Sequence, residues 1–311
     1  MSEKPQVSVI IVSWNVREHL RANLARLFSL PAAVSFEVLV ADNGSVDGTT
    51  RMVRTEFPQV KLIANDYNAG FAAANNRALR LAQGEVCLLL NPDMALEPGA
   101  LEVAHRTLSG DQAIGVLGVR LVGAFGRPVP SVRRFPDFAS QLAILLKVGY
   151  LFPAALERYL AAGFDYSRSQ DVDQVRGSFF AFRRELLATV GYLDEDYFIW
   201  FEEADWCRRV RQFGYRVRYC AEATAVDLAG RSFVQVPHGR KQAIFTRSMA
   251  TYFLKHGELW QYGLLMLLRP FAIAAASVVD LMRWCKKINF DILINLDPRL
   301  RGDSGARAEA D

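Results

Sequence analysis

Leu88-Leu89-Leu90-Asn91-Pro92-Asp93 is an apolar run closed by a proline, with a carboxylate immediately beyond the break. So short a run, continuous with Val86 and Cys87, reads as a buried strand rather than a helix. Pro92 has no N–H to give to a ladder, so the strand stops there and Asp93 stands at its C-terminal edge. Open α/β sheets bind ligands at that edge, and hard cations prefer oxygen donors. Two other stretches place acids at similar boundaries: Val38-Leu39-Val40-Ala41-Asp42-Asn43-Gly44-Ser45 and Phe201-Glu202-Glu203-Ala204-Asp205-Trp206. Each also has a reading without a ligand. Asp93 is then a strand-end cap, Asp42 to Gly48 a capped turn, and the acids after Phe201 a helix start favoured by the macrodipole.

Outward from this strand, β-like and helix-like segments alternate. The pattern predicts strands over 7–12, 36–41, 60–64 and 86–90. Helices are expected over 16–30, from a start at Ser45-Val46-Asp47-Gly48, and over 72–82. Such alternation favours a parallel sheet with right-handed crossovers. Between Asp111 and Arg176 the pattern loosens, with glycine and proline punctuation over 123–136 and an apolar amphipathic stretch over 138–160. Strand character returns at 177–182, a helix follows through Val190, and 217–221 and 223–226 read as two closing strands. The expected organisation is an α/β domain over 1–235, a helical extension over 236–296 and a disordered tail over 297–311.

A chain of 311 residues, half of them apolar, has ample core for one large domain and an appendage. Its net charge of +4 and the lack of a long basic stripe argue against nucleic-acid binding. Arg240, Lys241, Arg247, Lys255, Arg269, Arg283, Lys286 and Lys287 do gather near the C-terminus, among apolar segments, as at a membrane surface. Tyr262 to Trp284 is long and apolar but carries Arg269 and Pro270 at its middle, which suits an in-plane or re-entrant membrane contact better than a spanning helix. A helical hairpin packed on the α/β domain, or on a second copy in a homodimer, is the alternative. Cys87, Cys207, Cys220 and Cys285 show no pairing motif and read as free thiols in a reducing compartment. With no apolar leader after Met1, the expected location is cytoplasmic.

The three acidic boundaries together point to a metal-assisted site for a nucleotide sugar. The Asp42 loop has side chains for a pyrimidine edge and a ribose, and glycines for close backbone approach, without a Rossmann fingerprint or P-loop. Asn91 stands where a two-carboxylate metal clamp would have a second acid, so a cation at Asp93 would lean on the donor's pyrophosphate oxygens. Glu202, Glu203 and Asp205 are framed by Trp200, Phe201 and Trp206. Like charges beside aromatic walls raise a carboxyl pKa, as a general base requires.

The ordered set Val9-Ile10-Ile11-Val12-Ser13-Trp14-Asn15, Asp42-Asn43-Gly44-Ser45, Asn68-Ala69-Gly70-Phe71 with Asn75-Asn76, Leu90-Asn91-Pro92-Asp93 and Phe201-Glu202-Glu203-Ala204-Asp205 resembles family 2 glycosyltransferases of the GT-A fold. Arg133-Arg134-Phe135-Pro136 and the segment from Gly177 to Cys207 are similar to the bacterial rhamnosyltransferase-like group. The resemblance implies a mostly parallel central sheet flanked by helices. It places Ser13, Trp14, Asn15, Asp42 and Asn43 around the nucleoside, and Asn68, Gly70 and Phe71 near ribose and phosphate, with Asn91 beside them. Asp93 matches the metal-binding aspartate, and Glu203 the catalytic base, with Glu202 and Asp205 as neighbours. Where the family often has histidine after the closing strand, this chain has Val226-Asp227-Leu228-Ala229-Gly230-Arg231-Ser232, and Asp227 offers an oxygen ligand instead.

The implied activity is inverting transfer with magnesium or manganese, from dTDP-rhamnose or else a UDP-sugar. The implied acceptor is a cell-envelope glycan or polyprenyl-linked sugar at the inner face of the cytoplasmic membrane. A sugar nucleotidyltransferase would show a glycine-rich basic loop where Ser13-Trp14-Asn15 stands. A non-catalytic nucleotide-sugar or glycan-binding protein is the other rival, given Asn91 and Asp227.

Overall fold

The computed structural model describes residues 4–123, 125–228 and 236–296. Residues 297–311 and Ala229 to Ser232 lie outside the described residues, as do the side chains of Arg283, Cys285, Lys286 and Lys287.

The first half is built as the alternation predicts. Strands β1 (Val7–Ser13), β2 (Phe36–Asn43), β3 (Lys61–Asn65) and β4 (Val86–Leu90) run parallel in the order β3-β2-β1-β4. Helices α1 (Arg17–Ser29), α2 (Thr49–Glu56) and α3 (Phe71–Leu79) connect them. Then follow β5 (Met94–Leu96), α4 (Ala100–Gly110), β6 (Ile114–Gly123), β7 (Pro128–Val129), β8 (Val132–Arg133), α5 (Phe138–Leu145), α6 (Pro153–Tyr159), β9 (Gln170–Val172), β10 (Gln174–Val175) and β11 (Phe179–Arg183). Short α7 (Leu186–Thr189), α8 (Glu202–Gln212), β12 (Arg216–Asp227), α9 (His238–His256) and α10 (Leu259–Leu296) complete the described chain. β11 enters antiparallel between β4 and β6, β12 runs parallel to β6, and β5 pairs antiparallel with β12. The result is a mixed, mostly parallel sheet.

Two elements differ from the sequence expectation. The loosened region contains β6, a central ten-residue strand whose glycines disguise it. A Cβ on Gly115 would meet Val210 Cγ1 at 2.5 Å, and one on Gly118 would meet the Val175 Cβ at 2.6 Å, so α8 and β10 pack closely enough to require glycine. The two closing strands are one, β12, with a register shift between Cys220 and Thr224 that absorbs the extra residues as a bulge.

Side-chain alternation along the buried strands feeds two cores. Val9 and Ile11 of β1 face Leu20, Leu24 and Leu27 of α1 on one side of the sheet. Ile10 faces Ala74 and Ala78 of α3, and Trp206 of α8 belongs to the same layer. Cys87, Cys207 and Cys220 are buried free thiols, as expected. A third cluster joins Tyr197 and Phe201 to Met249, Tyr252 and Phe253 of α9 and Leu265 of α10, which fastens the helical hairpin to the sheet domain. Asp280 on α10 accepts the N–H groups of His238 (2.9 Å) and Gly239 (2.8 Å), capping α9 from outside its own sequence. These bonds hold its carboxyl down to about 2. Arg269, the charge inside the apolar stretch, turns back to donate to the Ala243 carbonyl of α9 (3.3 Å).

Candidate active site

Parallel strands that end level bring their following residues together. Ser13 lies opposite Asp42, and Ile11 opposite Leu90, so the chain beyond β1, β2 and β4 converges at one sheet edge. There Trp14, Asn43, Asn91 and Asp93 line a cavity of about 220 Å³. Asn68, Gly70 and Phe71, at the start of α3, line the same cavity, and Arg176, Phe198 and Trp200 face them. Gly70 (φ 91°) serves the wall: a Cβ there would lie 2.5 Å from the Phe198 carbonyl oxygen, which accepts the Phe71 N–H at 2.6 Å.

The other expected nucleoside residues do not line this cavity. Asp42 is buried and accepts from the Ser45 N–H (2.9 Å) and hydroxyl (2.6 Å). Burial raises its pKa, and the two Ser45 bonds oppose the rise. Asn15 accepts the Val46 N–H at 2.8 Å and gives its own N–H to Ser45 Oγ. Ser13 Oγ is buried without a hydrogen-bond partner among the described residues. Asn43 is held at both ends, donating to the Gly70 carbonyl and accepting from Asn65. Asn76 is a tie, bonding both the N–H and the carbonyl of Leu193.

Trp200 and Phe201 are consecutive bulky residues with φ of 68° and 72°, a left-handed turn that costs free energy and needs external support. Phe245 and Tyr252 supply it, each 5.6 Å from the Phe201 ring, together with the Ser248 hydroxyl on the Ile199 carbonyl. This turn delivers Glu202 and Glu203 to the N-terminus of α8. Glu203, with Arg133, Tyr159 and Phe245, lines a second cavity of about 60 Å³. Arg176 and Trp200 belong to both cavities, so the two meet at these side chains.

The three neighbouring acids are not equivalent. Burial pushes Glu202 well above the usual carboxylate range, and the charges of Glu203 and Asp205 push it further. Burial also raises Glu203, but its backbone hydrogen bond and the guanidinium groups of Arg133 and Arg176 pull against the rise. Each has an Oε2 with no hydrogen-bond partner among the described residues. Asp205 lines neither cavity. Burial works to raise its pKa, but His256 (2.7 Å) and Arg209 (2.8 Å) outweigh it and hold the carboxylate ionised. Of the three framing aromatics, Trp206 points into the core against Phe180 and Phe182.

Asp93 and Asp227 come to one edge because Asp227 pairs with Met94 across β12 and β5, and the Leu228 N–H bonds the Asp93 carbonyl. Asp227 Oδ2 also takes Arg176 Nη1 at 3.0 Å, which the sequence reading did not foresee. No cluster of three acidic, histidine or cysteine ligands occurs among the described residues. One or two carboxylates suit magnesium or manganese when substrate phosphates complete the shell, so this donor set fits a cation that arrives with a diphosphate.

Residues 8–191 match the family model described as Glycosyl transferase family 2. The chain belongs to that family. Within family 2 it is 27% identical over 277 residues to the N-acetylglucosaminyl-diphospho-decaprenol L-rhamnosyltransferase of Mycobacterium tuberculosis, covering 84% of this chain and 88% of that protein. Chondroitin synthase of Escherichia coli is 24% identical over 230 residues, 68% of this chain and 32% of that one. In fold the chain is similar to the mannosyltransferase PcManGT from Pyrobaculum calidifontis in complex with GDP-Man and Mn2+, with a TM-score of 0.57, 20% identity, and coverage of 96% and 83% of the two chains. TarS 1-349 of S. aureus superposes with a TM-score of 0.51 at 18% identity, over 80% and 72% of the two chains. Both likenesses support the GT-A architecture.

Sequence reasoning gave no role to Arg176, Arg133, Tyr159 or Phe245 in this family 2 site. Arg133 was visible in Arg133-Arg134-Phe135-Pro136, and Arg176 stands directly before the strand segment at Gly177. Tyr159 and Phe245 carried no local signal, because they reach the site only when α6 and α9 pack beside the Trp200 turn.

Proposed function

We propose that this family 2 enzyme transfers a sugar, with inversion, from a nucleoside diphosphate donor to a polyprenyl-diphosphate-linked sugar acceptor, and that the donor is dTDP-rhamnose. The observation that carries the reading is the pair of cavities meeting at Arg176 and Trp200, one bounded by Asp93 and the other by Glu203. The donor occupies the larger cavity, its nucleoside beside Trp14 and Asn43 and its diphosphate toward Asp93. A divalent cation bound by Asp93 would neutralise diphosphate charge. The acceptor sugar enters the second cavity against Tyr159 and Phe245, and Glu203 takes the proton from its hydroxyl as the oxygen attacks the anomeric carbon. The C–O bond to the diphosphate breaks as the new glycosidic bond forms, and no covalent enzyme intermediate is required. The rhamnose assignment is supported by the mycobacterial relative's name and by the group resemblance.

The helical hairpin supports a lipid-linked acceptor. Leu259 to Val278 has a mean hydropathy of 1.3 and only 11% of its apolar window is buried. Leu267 and Phe271 are exposed on it. Phe138 of α5 packs on Trp260 at 5.0 Å, and the chain just after α5 exposes Tyr150, Leu151 and Phe152. We read these as a membrane-facing surface at the cytoplasmic side, continuous with elements that wall the acceptor cavity. A panel of nucleotide sugars incubated with the full-length protein, manganese and a polyprenyl diphospho-sugar tests the reading. It predicts transfer from dTDP-rhamnose. Transfer only from UDP-sugars would overturn the donor assignment, and no turnover of any donor would favour a binding protein.

A further inference from the structure

Arg176 lies in the short link between β10 and β11, and its surroundings fix it at both the donor and the acceptor end of the site. Its N–H bonds the Ser131 carbonyl at 2.9 Å, and two residues on, the Ser178 carbonyl takes the N–H of Asn91 at 3.1 Å, tying this link to the end of β4. Gly177 faces the other way: a Cβ there would sit 3.8 Å from the Cβ of Glu203 and 3.9 Å from its Cδ. The guanidinium is aimed by Asp227, itself buried, through Nη1. A guanidinium carries five donors in a planar fork that matches phosphate oxygens, so bonding Asp227 through Nη1 leaves it the chemistry to bind an anion as well.

On the reading of the larger cavity as the donor site, we propose that Arg176 is a diphosphate-binding residue, held in place by Asp227, and that Asp227 serves as its anchor rather than as a metal ligand. The sugar's departing diphosphate then meets a fixed cation at the boundary between donor and acceptor. That cation belongs to the protein and is present whether or not a metal accompanies the donor.

Calorimetric titration of the full-length protein with dTDP and with thymidine, each in manganese and in EDTA, separates the alternatives. Arg176→Met is expected to weaken dTDP binding about 10- to 100-fold in both buffers, the range for loss of hydrogen bonds to a charged group. Thymidine affinity is expected to stay at the wild-type value, which also reports an intact fold, and Arg176→Lys is expected to recover part of the loss. Asp227→Asn is expected to change dTDP affinity by the same factor in EDTA as in manganese. An Arg176→Met variant with unaltered dTDP affinity would overturn the proposal, as would an Asp227→Asn effect confined to manganese. A wild-type protein that binds dTDP in neither buffer would overturn the donor reading itself, a result distinct from failure of the Arg176 variants alone.

Discussion

Glu202 and Glu203 adjoin at the start of α8, yet their surroundings divide the work between them. Glu202 feels burial and two neighbouring acids, whereas Glu203 feels burial opposed by Arg133 and Arg176. Glu203 therefore ionises first, which suits the base role proposed for it. Because that ionisation is shifted upward, the acid limb of kcat/KM is expected above the ordinary carboxylate range in a pH–rate profile. Glu203→Gln should cut turnover roughly 100-fold with donor affinity retained, the usual worth of general-base assistance, whereas Glu202→Gln, which mimics the protonated acid, should keep turnover within a few-fold. Equal losses in both variants would assign the base wrongly. The stability signs also separate the acids. Raised pKa values at Glu202 and Glu203 contribute stability below the unfolded value that is lost as pH rises through the folded one. Asp205 is depressed, so its contribution is present above the unfolded value and is lost as pH falls through the folded one. Asp205→Asn is expected to cost about 3 kcal/mol in denaturant unfolding at neutral pH, since it strips a buried pair from His256 and Arg209, without weakening dTDP binding.

Elements whose boundaries are set by local chemistry were legible. β1, β2 and β4 are short, largely buried and closed by polar or proline residues; β4 ends at Leu90 as the sequence says, while β1 runs on to Ser13 and β2 to Asn43, just past the expected ends. β6 was hidden because Gly115 and Gly118 answer to neighbours on α8 and β10, a tertiary demand that weakens the local strand signal. The site divided in the same way. Strand-end residues Asn43, Asn91 and Asp93 could be read from position, but the Arg176 and Asp227 pairing spans 51 residues and has no local trace. Gly70 is the element-scale test. Gly70→Ala places a Cβ against the Phe198 carbonyl in a left-handed backbone, and is expected to displace the turn before α8. Tryptophan fluorescence from Trp200, together with at least tenfold weaker dTDP binding, would report it. Unchanged spectra and affinity would show that the contact can yield cheaply.

Across the whole molecule, the sheet domain carries the reacting groups we propose, and the hairpin has an apolar exterior beside the cavity proposed for the acceptor. An in-plane membrane contact joins apolar burial to attraction for anionic lipid, so vesicle binding should weaken with salt without vanishing. Leu267→Glu combined with Phe271→Glu changes exposed side chains only, and is expected to reduce co-sedimentation with anionic vesicles by about tenfold or more while dTDP binding is kept. If the wild-type protein does not sediment with such vesicles at low salt, the hairpin face has another partner. The central claim is a single displacement between the two cavities, with Glu203 activating the acceptor directly. Nuclear magnetic resonance of the product formed from dTDP-rhamnose tests it at the transferred sugar's anomeric centre. The account predicts a configuration opposite to that of the donor, and a retained configuration would contradict it.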